Sequence, residues 1–176
     1  MSVPALPLPD DAEADRQIRR LLAPSGDPQY RLARGAALTW LLEHPQEAYP
    51  RLLAILQSPA PPALALAAVV HFQRADSVPV LEHVLHTADD PTVVVAAQAL
   101  AEHPAPEAGA VLRRALGSAR EQTVASAADG LAMRGDSAAC VPLTAALQHP
   151  DPDVRRRVQA AVARLGCEQP AHGAPG

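Results

Sequence analysis

The sequence predicts an all-α solenoid of about four and a half stacked helical hairpins. A pair of leucines four residues apart recurs along the chain, and the first members of successive pairs are 29, 31 and 31 residues apart. Alanine and leucine dominate, whereas Trp, Tyr and Phe together supply four residues, which favours close helix–helix contact over a core of large rings. A constant period with two helices per unit is typical of a solenoid, in which each hairpin buries its apolar face against its neighbours. The leucine pairs are Leu52/Leu56, Leu81/Leu85, Leu112/Leu116 and Leu143/Leu147.

The segment 90–117 is the clearest single unit. Asp90 is predicted to cap its first helix and Pro91 to stand in the first turn, where a missing N–H costs nothing. Pro104 is predicted to end that helix, and Gly117 to end the second one. The apolar faces are formed by Val93, Ala97 and Leu100 in the first helix and by Val111, Leu112, Ala115 and Leu116 in the second.

The other elements follow in order around this unit. Residues 1–9 contain three prolines without helical period and predict an extended or disordered tail. Residues 10–22 predict a helix that covers the end of the stack, since its acidic residues come early and its arginines late, in agreement with the helix dipole. The hairpins are predicted at 27–58, 60–88, 90–118 and 120–149, followed by a half-repeat at 151–166 and a flexible tail at 167–176.

The half-repeat has no second helix to pack against. We therefore expect an apolar edge on this helix, formed by Val154, Val158, Ala161 and Leu165. An exposed apolar edge at the end of a solenoid favours pairing with a second copy, so a homodimer through the C-terminal helix is one hypothesis.

Three Asp-Pro segments and the stretch 134–166 carry a family resemblance. The segments DPQYR (27–31), DPTVV (90–94) and DPDVR (151–155), with RGDSAACVPLTAALQHPDPDVRRRVQAAVARLG, resemble HEAT repeats of the short bacterial type first described in phycobilin lyases. The resemblance covers about 27–166 and implies a right-handed stack with the first helices on the convex side and the second helices on the concave side. It says little about function, because members include bilin lyases, a diiron hydroxylase, DNA glycosylases and many adaptors.

The resemblance also implies a ladder in which the turn aspartate of one unit pairs with an arginine near the start of a neighbouring first helix. Arg31 and Arg155 hold that arginine position in this sequence, whereas Val94 and Ala125 replace it in the third and fourth units. The ladder is therefore expected to be incomplete.

Composition excludes some chemistry. All 15 basic residues are arginine, which excludes a lysine Schiff base and a phosphate-loop lysine. The net charge of −4 disfavours a general nucleic-acid binder. Cys140 and Cys167 are too few and too far apart for a zinc site of the CxxC type. Since the sequence shows neither a leader pattern nor an apolar run of membrane-spanning length, we expect a cytoplasmic protein with reduced, structural thiols.

Seven histidines prompt a metal hypothesis, which the sequence supports weakly. His83 and His86 are three residues apart and could share a helix face, but no carboxylate is clearly placed to join them. Diiron hydroxylases of the HEAT type carry repeated His-Glu dipeptides, whereas this chain has the reverse order. Histidines that directly precede a proline, at His44, His103 and His149, are explained by capping of a helix C-terminus. We expect no bound metal and no cofactor.

Neither nucleophile motifs nor phosphate loops are present, so an enzyme is not expected. The alternative of an enzyme-maturation factor that handles a bilin or a metal is suggested by the repeat type alone. Nucleic-acid binding would depend on Arg155, Arg156 and Arg157 with Arg134 and Arg164, but three consecutive helical residues spread around the helix and cannot form one flat face.

The leading hypothesis is a protein–protein interaction module that binds its partner along the second helices. Arg113 and Arg114 are expected on the solvent side of one such helix. The candidate partner-binding residues are Arg51, Glu82, His86, Arg113, Arg114 and Gln148.

Overall fold

The protein is all-α in this computed structural model, which describes the backbone of residues 9–23 and 28–167 and the side chains of residues 13–23 and 31–167. Over these residues the chain forms ten helices, two 3₁₀ turns and no strand. The prediction of an all-α solenoid is confirmed. The helices are α1 (Pro9–Leu22), α2 (Pro28–Glu43), α3 (Pro45–Leu56), α4 (Ala63–Val70), α5 (Val78–Thr87), α6 (Asp90–Glu102), α7 (Pro106–Ala115), α8 (Glu121–Arg134), α9 (Cys140–Ala146) and α10 (Pro152–Leu165), with 3₁₀ turns at Ala75–Ser77 and Ser137–Ala139.

The first of two compact units covers residues 1–80. Helix α1 packs against α2 and α3, and α3 packs against α4. Ala14, Ile18 and Leu21 are the buried face of α1, which corresponds to the predicted end-covering helix at 10–22. Apart from Pro9, the predicted N-terminal tail lies outside the described residues.

The second compact unit covers residues 81–176. Here the first helices α6, α8 and α10 pack side by side, while α7 lies against α6 and α8, and α9 lies against α10. The approach of α8 to α6 depends on Gly130, because an added Cβ would lie 3.1 Å from the backbone oxygen of Ala97 and 3.2 Å from Leu112. Small side chains therefore set the helix spacing, as the alanine-rich sequence predicts.

The leucine pairs of the second helices form much of the core. Seven of their eight members are buried, and Leu147 is half-buried. The apolar face that is predicted for the first helices is also buried: its members are Val93, Ala97 and Leu100 in α6 and Val124, Ala128 and Leu131 in α8. The 31-residue period thus corresponds to a real repetition of core positions.

Several helix ends differ from the prediction. The N-cap of α6 is Asp89, not Asp90, since the Asp89 side chain accepts a hydrogen bond from the Thr92 N–H at 3.1 Å. Helix α7 ends at Ala115, before Gly117. Helices α4 and α9 are shorter than the predicted segments 61–73 and 138–148. Helix α9 is short because the 3₁₀ turn Ser137–Ala139 precedes it, and α4 ends at Val70, before the 3₁₀ turn Ala75–Ser77 that leads into α5.

The predicted apolar edge of the last helix is not an exposed surface. In α10, Val154, Val158 and Ala161 are buried, and Leu165 is half-buried. These residues face α8 and α9, which are the helices that α10 contacts. The expectation of an uncovered edge is wrong because the preceding hairpin already covers it, so this edge gives no support to a homodimer.

The two cysteines are joined. Cys140 at the start of α9 and Cys167 just after α10 form a disulfide with their Cα atoms 5.3 Å apart. The expectation of reduced thiols is therefore wrong, and so is the assignment of Cys167 to a flexible tail. Spacing in the sequence did not indicate this pair, because the two cysteines are 27 positions apart and meet only when α10 folds back against α9. Residues 168–176 lie outside the described residues.

Candidate interaction surfaces

Arg113 and Arg114 are adjacent on α7 but have different partners. Arg114 donates from Nη2 to Glu82 Oε1 of α5 at 2.7 Å, and its side chain is 59% exposed. Arg113 instead pairs with Asp136, in the turn before α9, whose side chain is 11% exposed. The expectation that both arginines lie on the solvent side is thus wrong for Arg113, which a nearly buried carboxylate draws inward.

Gly109 makes room for this internal pair. An added Cβ at Gly109 would lie 2.9 Å from Asp136 Oδ2 and 3.1 Å from Arg134 Nε. Asp136 also accepts a hydrogen bond from the Ala138 N–H at 3.1 Å, which caps the 3₁₀ turn before α9. Arg113 and Asp136 therefore fix the entry to α9 and do not form part of a free binding surface.

The other predicted site residues occupy different environments. Glu82 is half-buried in its pair with Arg114, whereas His86 and Gln148 are exposed. Arg51 belongs to the first unit, where its Nε lies 3.2 Å from Asp15 Oδ1. The structure therefore brings together Glu82 and Arg114 among the six candidates.

Arg120 and Arg134 form contacts between neighbouring repeats. The sequence predicts neither of them as a member of the Asp–Arg ladder. Arg120, the N-cap of α8, donates to Asp90 Oδ1 and to the His86 carbonyl, both at 3.1 Å. Arg134, at the end of α8, donates to carbonyl groups at the end of α6. The signal that could have found the first contact is its separation of 30 residues, which equals the repeat period.

Arg155 does not make the expected cross-repeat contact. Its Nη1 donates to the carbonyls of His149 and Pro150 at 2.7 Å, in the turn that leads into its own helix. On the same helix Arg156 pairs with Asp153, and Arg157 pairs with Asp129 of α8. The three arginines therefore contact separate partners, because consecutive residues of a helix point in different directions.

A small apolar groove lies between α6 and α8. We call it the α6–α8 groove, and its volume is about 100 Å³. Val94 is 41% and Met133 45% exposed at this groove, although both are large apolar residues. Its lining residues are Val94, Ala97 and Gln98 of α6, Ser126, Asp129, Gly130 and Met133 of α8, and Arg157 of α10.

An acidic cleft adjoins this groove at the N-terminal ends of α6, α8 and α10. We call it the acidic cleft, and its volume is about 210 Å³. Both features lie on first helices, whereas the sequence predicts partner binding on the second helices, so the sequence does not predict either feature. The lining residues of the cleft are Asp90, Glu121, Gln122, Ala125, Asp151, Asp153, Val154 and Arg157.

Three histidines form hydrogen bonds with nearby backbone groups at or after helix ends. His44 Nδ1 lies 2.8 Å from the Trp40 carbonyl, in agreement with capping of the end of α2. His103 and His149 act differently, since each Nδ1 accepts the N–H of the second residue along, Ala105 or Asp151. Within residues 13–23 and 31–167, no group of three or more His, Cys, Asp or Glu side chains is placed to hold a metal ion.

Tyr49, Arg74 and Asp76 form a polar cluster in the first unit. The Tyr49 hydroxyl donates to Asp76 Oδ1 at 2.6 Å, and the Arg74 guanidinium lies 4.5 Å from the centre of the Tyr49 ring. Burial, with the Asp76 carboxylate beside it, raises the pKa of Tyr49 to about 12. Hydrogen bonds from Arg74 and then Tyr49 lower the pKa of Asp76. This cluster connects the start of α3 to the turn before α5.

Comparison with known proteins supports the fold and the repeat type. Residues 78–163 match a family model described as HEAT repeats. The match supports a HEAT-repeat protein. It covers α5 to most of α10, which are the helices that carry the cross-repeat arginines and both surface features. The search of curated proteins gave no match. Separately, no helix in the described part of the chain has the length and apolar character needed to cross a membrane.

Proposed function

We propose that this protein is an interaction module without catalytic activity of its own, which binds a partner protein along the second helices of its hairpins. HEAT repeats are commonly protein-interaction scaffolds. The observation that carries the proposal is the exposed ion pair between Arg114 of α7 and Glu82 of α5, which spans two repeats on their second helices.

This surface has features that favour recognition. The contacts of Arg120 with α5 and α6 hold neighbouring repeats together, and a surface that is already ordered loses less entropy when it binds. Arg114 contacts Glu82 through Nε and Nη2, and a guanidinium has five N–H donors, so donors remain for a carboxylate of the partner. His86 on α5 and Gln148 in the turn after α9 add exposed polar groups.

The test is a capture experiment in native lysate with charge variants at this pair. Arg114→Glu reverses the surface charge and breaks the pair, and it is expected to abolish recovery of a specific partner. The double variant Arg114→Glu/Glu82→Arg restores an intramolecular pair with the charges exchanged. If the partner recognises the charges of this surface, the double variant also fails to recover the partner. Recovery by the double variant would mean that the single change acts through stability.

Arg164→Glu is the matched control, because Arg164 is an exposed arginine at the end of α10. It is expected to recover the partner as the wild type does. Partner recovery that is unchanged in Arg114→Glu contradicts the assigned surface. If wild type and variants alike recover background proteins alone, the interaction-module proposal fails and a small-molecule role, such as bilin or metal handling, takes its place.

The cytoplasmic location stays a prediction, and the disulfide weighs against it. Disulfides persist in oxidising compartments, whereas cytosolic thiols are kept reduced. Blocking free thiols in intact cells before lysis, followed by mass spectrometry of the Cys140 and Cys167 peptides, decides the question. Blocked cysteines would agree with the cytoplasm, and an intact Cys140–Cys167 bond would contradict it.

A further inference from the structure

The α6–α8 groove and the acidic cleft are neighbouring features, because Arg157 lines both. The floor of the groove is made of the small residues Ala97 and Gly130, and Val94 and Met133 form exposed apolar walls. Its volume equals that of roughly three liquid water molecules, which suits one aliphatic side chain. An aliphatic side chain in this place would remove these apolar walls from water.

The cleft carries more carboxylates than the helix ends require. The caps of α6 and α10 are Asp89 and Asp151, which accept the Thr92 and Val154 N–H groups and offset the helix dipoles. Asp90 and Asp153 are additional carboxylates, and together with Glu121, the acidic residue in the first turn of α8, they line the cleft beside a single guanidinium, that of Arg157.

Two neighbouring arginines contact these carboxylates from outside the lining. Arg120 pairs with Asp90 and Arg156 pairs with Asp153, and Asp90 and Asp153 keep 68% and 76% of their side chains exposed. Such exposed ion pairs contribute about 0–1 kcal/mol each, so an incoming cation can replace them at small cost, while Arg120 keeps its hydrogen bond to the His86 carbonyl and with it the link between repeats. Arg157 is already paired with Asp129. The cleft therefore suits a positively charged group.

We propose that this surface binds an extended segment of a partner protein, with one aliphatic side chain in the α6–α8 groove and an arginine or lysine in the acidic cleft. The linings of the two features are displaced by about six residues along α6 and α8, which corresponds to about 9 Å at 1.5 Å per residue. An extended chain covers this distance in about three residues. The expected recognition pattern is an aliphatic residue with a basic residue about three positions away.

This inference rests on the proposed role as an interaction module, but it concerns the first helices α6, α8 and α10. The two surfaces are therefore tested by different residues. Arg114 lies outside both linings, so Arg114→Glu is expected to leave binding in the groove unchanged.

The experiment is selection of short random peptides, displayed on phage, against the full chain. Enriched peptides are expected to combine an aliphatic and a basic residue at the spacing given above. An enriched peptide is then synthesised, and its affinity is measured by fluorescence anisotropy for the wild type and for the groove and cleft variants.

Two variants test the two parts of the surface. Met133→Glu places a charge on the apolar wall and is expected to weaken binding about tenfold or more. Its matched control is Val141→Glu, because Val141 is 81% exposed and lies outside the groove. Glu121→Gln/Asp153→Asn is expected to weaken binding and reduce its dependence on salt. Its control, Glu102→Gln/Glu107→Gln, removes the same charge from exposed positions outside the cleft.

Several outcomes overturn the proposal. Enriched peptides without basic residues, equal binding by Met133→Glu and wild type, or no enrichment at all would each do so. Self-association of the wild type that Met133→Glu abolishes would assign the groove to a second copy of the chain. Peptide binding that Arg114→Glu abolishes and Met133→Glu leaves intact would support the second-helix surface and reject this one.

Discussion

Arg134, the last residue of α8, donates from Nη1 to the backbone carbonyl of His103, 2.6 Å away in the turn after α6. The same guanidinium donates to the carbonyls of Leu100, Ala101 and Ala105 at 2.9 to 3.3 Å. The last carbonyl groups of any helix lack partners within the helix. An arginine of one repeat thus caps the first helix of the preceding repeat and ties the two together.

Arg134→Ala is expected to lower the free energy of unfolding by about 2 kcal/mol, because a half-buried charged donor is removed and several carbonyls lose their partner. Arg134→Lys is expected to recover part of this loss, since an ammonium cannot reproduce the planar fork of a guanidinium. Urea unfolding followed by circular dichroism measures both. The control Arg156→Ala removes an exposed arginine and should change stability by less than about 0.5 kcal/mol. Equal loss in Arg134→Ala and Arg156→Ala would contradict the capping role.

Two glycines in first helices should respond to alanine with opposite sign. Gly35 lies inside α2 with no atom within 4 Å of an added Cβ, so Gly35→Ala is expected to raise the free energy of unfolding by about 0.5–1 kcal/mol. At Gly130 the same helix preference is outweighed by overpacking against the Ala97 carbonyl and Leu112, and a net loss of about 1 kcal/mol is expected. Thermal unfolding of the two variants side by side measures the difference. If Gly130→Ala is as stable as Gly35→Ala, α8 does not depend on this close approach.

The repeat architecture could be predicted because its signals are local or strictly periodic. Buried leucines four residues apart mark the second helices, and Asp-Pro dipeptides mark the starts of first helices. The predicted N-cap of α6 differs by one residue from the N-cap in the structure, because Asp89 and Asp90 are equivalent candidates in the sequence. Burial of the α10 edge and the Cys140–Cys167 pair depend on how the last hairpin packs, which no local pattern contains.

The site was harder to predict because its side chains contact partners that are distant from them in the sequence. Arg113 and Arg114 have the same local pattern, yet Arg113 reaches a nearly buried Asp136 and Arg114 an exposed partner. The acidic cleft is formed by the N-terminal ends of three helices that are about 30 residues apart in the chain. In the sequence each of these helix starts has the pattern of an ordinary capping segment.

Tyr49 should make the folded state sensitive to alkaline pH. Its pKa is raised to about 12 by burial and by the hydrogen bond to Asp76, whereas an unfolded tyrosine has a pKa of about 10. The neutral phenol is favoured in the fold, so its contribution is complete below about pH 10 and is lost as the pH rises toward 12. The chain has no lysine and its two cysteines are disulfide-bonded, which leaves tyrosines as the side chains that titrate in this range.

Tyrosinate absorbance measures the titration directly, and urea unfolding at several pH values measures the loss of stability. Tyr49→Phe should remove the alkaline decline, while its stability at neutral pH falls through loss of the Asp76 hydrogen bond. A decline of the same size in Tyr49→Phe would place its origin elsewhere in the chain.

Reduction of the Cys140–Cys167 disulfide should destabilise the C-terminal hairpin. The bond closes a segment of 27 residues, for which the loss of chain entropy in the unfolded state corresponds to about 3.5 kcal/mol. A reductant is therefore expected to lower the free energy of unfolding by up to this amount and to increase amide hydrogen exchange in α10, whose end Cys167 ties to the start of α9. The double variant Cys140→Ser/Cys167→Ser should match the reduced protein and give no further response to the reductant. Equal stability of the oxidised and reduced proteins would mean that packing of Val154, Val158 and Ala161 alone holds α10 in place.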